Sequence, residues 1–320
     1  MNIQLNNYSL RKMTGILFLF SCLSGYMSSA SADQTIEKTF DVAAGGELVI
    51  ETERGSISVA THKDNLIKAS VVMEGIEQDE FELEFKHSGD SLTISGSNTR
   101  DLKNRWGKRK VHFDIVIPEQ FNVNVSTRGG SIKVAGVTGK VDATTSGGSL
   151  NFQDITGNLD GSTSGGSIRV ESVQGDTRIR TSGGSIKVDS VSGDLWGRTS
   201  GGSIKLAAVA GEINVATSGG SIKVENVEGQ IMAKTSGGSI KANFSQLTAH
   251  SELHTSAGSI TVSLADDIKA DIDARGGSIS SDFEIDGKKK ARRKLQGAIN
   301  GGGPKLELHT SAGGVKIYRK

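Results

Sequence analysis

Much that would staple or thicken a globular domain is scarce in this chain. One cysteine, Cys22, stands among 320 residues, so no internal disulfide and no cysteine-based metal centre can form. Aromatic residues make up 5% of the chain and hydrophobic residues 35%, little for a domain of this length, so the core must be thin and long. Neither charge predominates: 37 Lys and Arg face 36 Asp and Glu, a net charge of +1, which excludes nucleic-acid binding driven by bulk charge. No segment approaches the ~20 consecutive apolar residues of a membrane-spanning helix. What the chain has in plenty is glycine, 42 residues of it.

Residues 1–32 read as an export signal. Arg11 and Lys12 form a positive start, Gly15 to Phe20 an apolar stretch, and Ala30-Ser31-Ala32 a cleavage site before Asp33. Cleavage there predicts a soluble protein in the periplasm or at the cell surface, without cysteine. The alternative is lipid anchoring, because Leu19-Phe20-Ser21-Cys22 resembles a lipobox whose cysteine is acylated.

From Gly129 onward the chain repeats itself. Glycine pairs begin at Gly129, Gly147, Gly165, Gly183, Gly201, Gly219 and Gly237, always 18 residues apart, most of them within "TSGGSI". Such a short fixed period marks stacked repeats. Aligned copies show the alternation of a half-buried strand: Ile186 and Val188 point one way and Lys187 the other, with the same pattern at Ile204, Lys205 and Leu206. A second apolar column, represented by Val191 and Val209, precedes a single glycine. A second short strand follows, with Leu195 inward.

Two strands and two glycine corners in 18 residues predict an all-β parallel β-solenoid, or β-helix, in which each residue stands over its equivalent one coil earlier. Both glycine corners are expected to need left-handed backbone angles. One coil cannot bury its own apolar side chains, so the repetition itself is the condition for folding. The expected organisation is a signal peptide at 1–32 and irregular β coils with an N-terminal cap at 33–125. Regular 18-residue coils follow at 126–282, looser after 245, then a basic insertion and a closing rung at 283–320.

The stretch "VIPEQFNVNVSTRGGSIKVAGVTGKV", the reiterated "TSGGSI" and the closing "GAINGGGPKLELHTSAGGVKIY" resemble an adhesin-like bacterial β-strand-repeat family. This is a domain of unknown function related to the head domains of autotransporter adhesins. The resemblance covers roughly residues 36–320 and implies a β-solenoid, an exported location and no established catalysis.

Four constellations bear on function. The outward column Lys133, Arg169, Lys187, Lys205, Lys223 and Lys241 would suit an anionic glycan or lipopolysaccharide, and is also what a solvated face looks like. Glu171, Asp189 and Glu225, two residues along, offset part of its charge. The basic loop Lys288, Lys289, Lys290, Arg292, Arg293 and Lys294 is a second polyanion candidate and equally an edge guard. Asp142 and Asp160 share one outward column on adjacent coils, a spacing that a retaining glycosidase would use, with Arg178 next in the column as an ion partner. His250 and His254 lie too far apart on a strand, roughly 13 Å, to share a metal.

These observations predict a non-enzymatic, adhesin-like binding or scaffold module that needs no cofactor or metal. A polysaccharide-active lyase or glycosidase is the alternative.

Overall fold

The computed structural model describes residues 33–77, 79–99 and 109–320. The export segment with Cys22 and most of "RDLKNRWGKRK" lie outside the described residues, as does the side chain of Lys290. Every regular element among the described residues is a strand, and the thirty strands form two fifteen-stranded sheets.

Alternation sets each strand. In Ile186–Val191 the side chains of Ile186, Val188 and Val191 are buried, whereas Lys187 and Asp189 reach outward. The expected columns are in register: Ile168 pairs with Ile186, Ile186 with Ile204 and Ile204 with Ile222, all parallel. Each coil therefore places one strand in each sheet and rises about 4.8 Å on its neighbour. Twelve such rungs stack, and the inward side chains of the two sheets meet in one continuous core. Core size is adjusted between sheets: a Cβ on Gly161 would lie 2.9 Å from the ring of Phe152, so the glycine makes room for the phenylalanine. After residue 240 the interval widens to 20, with Ile240 pairing with Ile260.

The corner "TSGG" is explained by stacking. Thr199 is buried, its Oγ1 donates to the Gly184 carbonyl of the previous coil at 2.7 Å, and the Gly202 amide donates to Thr199 Oγ1 at 3.3 Å. The pattern recurs from Thr145 to Thr310. A threonine is thus the buried polar joint between successive coils, with its hydroxyl satisfied twice.

The reason for the glycines differs from expectation. Left-handed angles occur at the single-glycine corner of the earlier coils, as at Gly157 with φ 137° and Gly175 with φ 152°, but not at Gly193, Gly211 or Gly229, and not at the paired corner. There the second glycine is required by close approach. A Cβ on Gly184 would stand 2.1 Å from the Gly166 carbonyl oxygen, whereas one on Gly183 would find its nearest neighbour at 3.4 Å.

One joint is imperfect. Thr177 occupies an otherwise apolar column between Leu159 and Leu195, and its buried hydroxyl has no partner. An unpaired buried hydroxyl costs about 1–3 kcal/mol. Thr177→Val should therefore raise the unfolding free energy by about 1 kcal/mol or more in denaturant titration, and a loss of stability would show that the hydroxyl has a partner.

Both ends depart from sequence order. The rung Glu47–Thr52 with Ser56–His62 lies between Asn122–Thr127 with Ile132–Ala135 on one side and Ser91–Asn98 with Lys110–Pro118 on the other. At the opposite end "KLELHTSAGGVKIY" does form a rung, but not the last. Its strands Lys305–Thr310 and Gly314–Arg319 slot between Ser251–Thr255 with Ile260–Leu264 and Ala270–Arg275 with Ser278–Ser281. The first and last coils of the chain are each second from an end of the stack.

Antiparallel strands close the stack. Leu66–Glu74 and Gln34–Asp41 continue the first sheet beyond Lys110–Pro118, and Phe81–Ser88 continues the second beyond Ser91–Asn98. At the far end, Lys294–Ile299 and then Asp286–Ala291 extend the second sheet. The basic segment expected as a loop is this hairpin, with Arg292 and Arg293 at its turn. Its outer strand puts Lys288 and Lys289 on an open edge, where charge opposes further strand addition.

Candidate functional site

With the inner faces committed to the core, chemistry is left to the two outward faces. On the first sheet, the basic column is largely paired with the acids beside it. Arg169 contacts Glu171 at 3.1 Å and Asp189 at 3.3 Å, and Lys187 contacts Asp189 at 2.9 Å. Lys205 and Lys223 share Glu225 at 3.3 and 2.9 Å. The Lys223 hydrogen bond, then that of Lys205, holds the Glu225 carboxyl below its ordinary pKa. Only Lys133 and Lys241, the ends of the column, have no ion pair among the described residues. Lys288, Lys289, Arg292 and Arg293 are exposed on the closing hairpin, with Lys294 half-buried at its return.

The second sheet is organised differently. A groove of about 460 Å³ runs across the strands Val141–Thr145, Leu159–Thr163, Thr177–Arg180, Leu195–Arg198 and Ile213–Thr217. One margin is the corner row Asn158, Asp176, Asp194 and Glu212. Backbone amides hold this row. The Asp194 N–H donates to Asp176 Oδ1 at 3.0 Å, and the Glu212 N–H to Asp194 Oδ1 at 2.8 Å. The side chains of Asn158, Asp176 and Asp194 act as spacers between coils, each capping an amide of the next.

The floor carries Asp142, Asp160, Arg178, Trp196 and Asn214 in one register column. Asp142 and Asp160 are direct strand neighbours, as the sequence indicates, and Asp142 is tied to Lys140 at 2.8 Å. The expected ion pair between Asp160 and Arg178 is not made. Arg178 turns instead toward Trp196, its guanidinium carbon 5.2 Å from the ring centre, because the indole face of the next coil offers a cation–π contact.

Two further arginines join it. Arg180 and Arg198 are partners one residue from the corner threonines, and their guanidinium carbons lie 5.9 and 4.7 Å from the Trp196 ring. Arg198 also donates to Asn214 Oδ1 at 2.7 Å, and partial burial lowers its pKa. Sequence reasoning noted Arg178 but passed over Arg180 and Arg198. The signal was present, since "RTSGG" occurs at both positions 18 residues apart.

His254 and His309 are strand partners with rings 4.9 Å apart, a pairing created by the inserted rung. Burial, then the neighbouring His309, lowers the pKa of His254. No cluster of three or more metal-ligating side chains occurs among the described residues, and no helix among them is long and apolar enough to cross a membrane.

Comparison with known proteins places the chain. No curated protein matches it. Solved structures similar to it include a "putative adhesin" from Parabacteroides distasonis, at 14% identity and a TM-score of 0.38 over 89% of this chain and 97% of that one. A "putative lipid binding protein" from the same organism has 13% identity and a TM-score of 0.34 over 89% and 96%. A "putative adhesin" from Bacteroides fragilis has 13% identity and a TM-score of 0.31 over 91% and 99%. Likenesses this low assign no function. The model of one family, however, matches residues 46–318, from the inserted first rung to the inserted last one. This chain belongs to the Toastrack DUF4097 family.

Proposed function

We propose that the protein is an exported, non-enzymatic binding scaffold that works in the periplasm or at the cell surface and grips an acidic glycan, such as a uronate-rich polysaccharide or the saccharide of lipopolysaccharide. One observation carries this reading: the coils from residue 129 to 245 run without an insertion, so outward side chains form rigid columns at strand spacing. A periodic surface of that kind suits a periodic ligand. Asp176 and Asp194 of the groove margin cap backbone amides, and Asp142 pairs with Lys140, which leaves these three acids in structural roles.

The test is an array of acidic glycans probed at low and at physiological salt, with each bound glycan assayed for cleavage. Binding that falls steeply with salt, without new chain ends, is expected because exposed charges are screened beyond ~8 Å at physiological ionic strength. Two variants locate the contacts: Lys187, Lys205 and Lys223 replaced by Gln, and Lys288, Lys289, Arg292 and Arg293 replaced by Gln. Release of fragments from a bound polysaccharide would replace this reading with a lyase or glycosidase, and absence of binding at low salt would end it.

A further inference from the structure

Outward cations on the first sheet are mostly matched with carboxylates, whereas three on the second sheet are not. Among the described residues, no carboxylate lies within ion-pair distance of Arg178, Arg180 or Arg198. Arg198 bonds only neutral oxygens, those of Gly197 and Asn214. The three guanidiniums surround one indole and occupy, with it, the four adjoining outward positions of the strands Thr177–Arg180 and Leu195–Arg198. Like charges on neighbouring strands repel, and do so more strongly where solvent is partly excluded. A fold that only needed solubility could have paired them, as it did Arg169 and Lys187.

From this unmatched cluster we infer that Arg178, Arg180 and Arg198, held around Trp196, form an oxyanion-binding site that takes the carboxylates or sulfates of an acidic polysaccharide. The inference rests on the proposed scaffold function and moves its principal contact from the basic column to the opposite sheet. The chemistry fits. A guanidinium presents a planar fork of N–H donors that matches a carboxylate or sulfate with two parallel hydrogen bonds. Packing against an aromatic face fixes the plane of that fork while leaving its donors free, so Trp196 acts as a positioning residue. Arg180 and Arg198 stand one strand apart along the stack, which allows successive acidic groups of one chain to be met in turn.

The surroundings favour a single polymer over a membrane. The margin residues Asp176, Asp194 and Glu212 are exposed alongside the cluster, and a broad anionic bilayer would meet them together with the arginines. A narrow chain lying on the arginines avoids that repulsion.

The experiment measures binding of the full chain to polygalacturonate, dextran sulfate, and phosphatidylcholine vesicles containing phosphatidylglycerol, across a salt series. Replacing Arg178, Arg180 and Arg198 together by Gln should weaken binding to the two polysaccharides about a hundredfold and flatten its salt dependence. The Lys187, Lys205 and Lys223 replacement should change it less than about threefold. Trp196→Ala should reduce affinity and Trp196→Phe should restore most of it. If loss of the half-buried Arg198 impairs folding, Arg178→Gln with Arg180→Gln, both exposed, should still weaken binding at least tenfold. Wild-type binding that persists unchanged in the arginine variants would overturn this site and leave the scaffold function standing. Failure of the wild type to bind either polymer would overturn both. Tighter binding to the anionic vesicles than to the polymers would overturn the choice of ligand.

Discussion

Replacing Val191 by Asp should abolish cooperative folding of the central coils, whereas Lys187→Ala, only four residues away, should change stability by less than about 1 kcal/mol. Val191 is 2% exposed and stands between Val173 and Val209 of the neighbouring coils. A carboxylate there would meet only apolar side chains, the kind of unpaired burial that costs more than about 4 kcal/mol and so rivals the whole stability of a typical domain. Lys187 is half-buried and paired with Asp189 at 2.9 Å, but exposed pairs contribute little, and Arg169 remains beside that carboxylate at 3.3 Å. Urea unfolding followed by circular dichroism measures both. Equal losses would mean that inward and outward columns had been interchanged.

The second large effect concerns two adjacent glycines that look equivalent in the sequence. Gly184→Ala would drive a methyl to 2.1 Å from the Gly166 carbonyl oxygen and 2.4 Å from its carbon. Backbone on both sides must shift, which opens the Thr199 joint that uses the Gly184 carbonyl. A loss of about 3 kcal/mol is expected, at the upper end for overpacking. Gly183→Ala meets nothing closer than 3.4 Å and keeps its amide bonded to the Ser164 carbonyl at 2.9 Å, so it should be tolerated within about 1 kcal/mol. Matched thermal melts distinguish the two, and similar melting temperatures would contradict the stacking distance at the corner.

These glycines show where sequence reasoning reached and where it stopped. The columns were legible because strand alternation and an 18-residue period leave one consistent arrangement: Ile186, Val188 and Leu195 are all buried as expected. The role of Gly184 was not, since a glycine needed for close approach and one needed for a left-handed angle read alike until neighbouring coils are placed. Rung order was hidden for a related reason. Every rung offers similar inward side chains, so nothing in "KLELHTSAGGVKIY" marks Leu306 for a place between Ser251 and Ile272.

The surface was partly legible. The basic column faces outward as expected, and Lys187 and Lys223 pair with the acids two residues along, but the pairs Arg169–Asp189 and Lys205–Glu225 depend on side-chain reach across coils. The cluster around Trp196 joins residues from two copies of the repeat, and such a site emerges only when copies are laid side by side. Arg178 shows the competition directly: an acid and an indole flank it on adjacent strands, and the indole holds it.

Core, corner joints and the arginine cluster all rest on which coil lies against which, and crosslinking reads that order directly. With Cys22 replaced by Ser, Thr261→Cys combined with Lys316→Cys should oxidise to an internal disulfide, because these residues are strand partners across adjacent rungs. Thr261→Cys combined with Ser280→Cys should not. Ser280 is the partner of Lys316 on its far side, which puts it two rungs from Thr261, about 9.6 Å away, beyond the ~7 Å that a disulfide can bridge. A disulfide in the first variant alone is the predicted result. A disulfide in the second alone would mean that the coils stack in sequence order, contradicting the inserted rung and the architecture built on it.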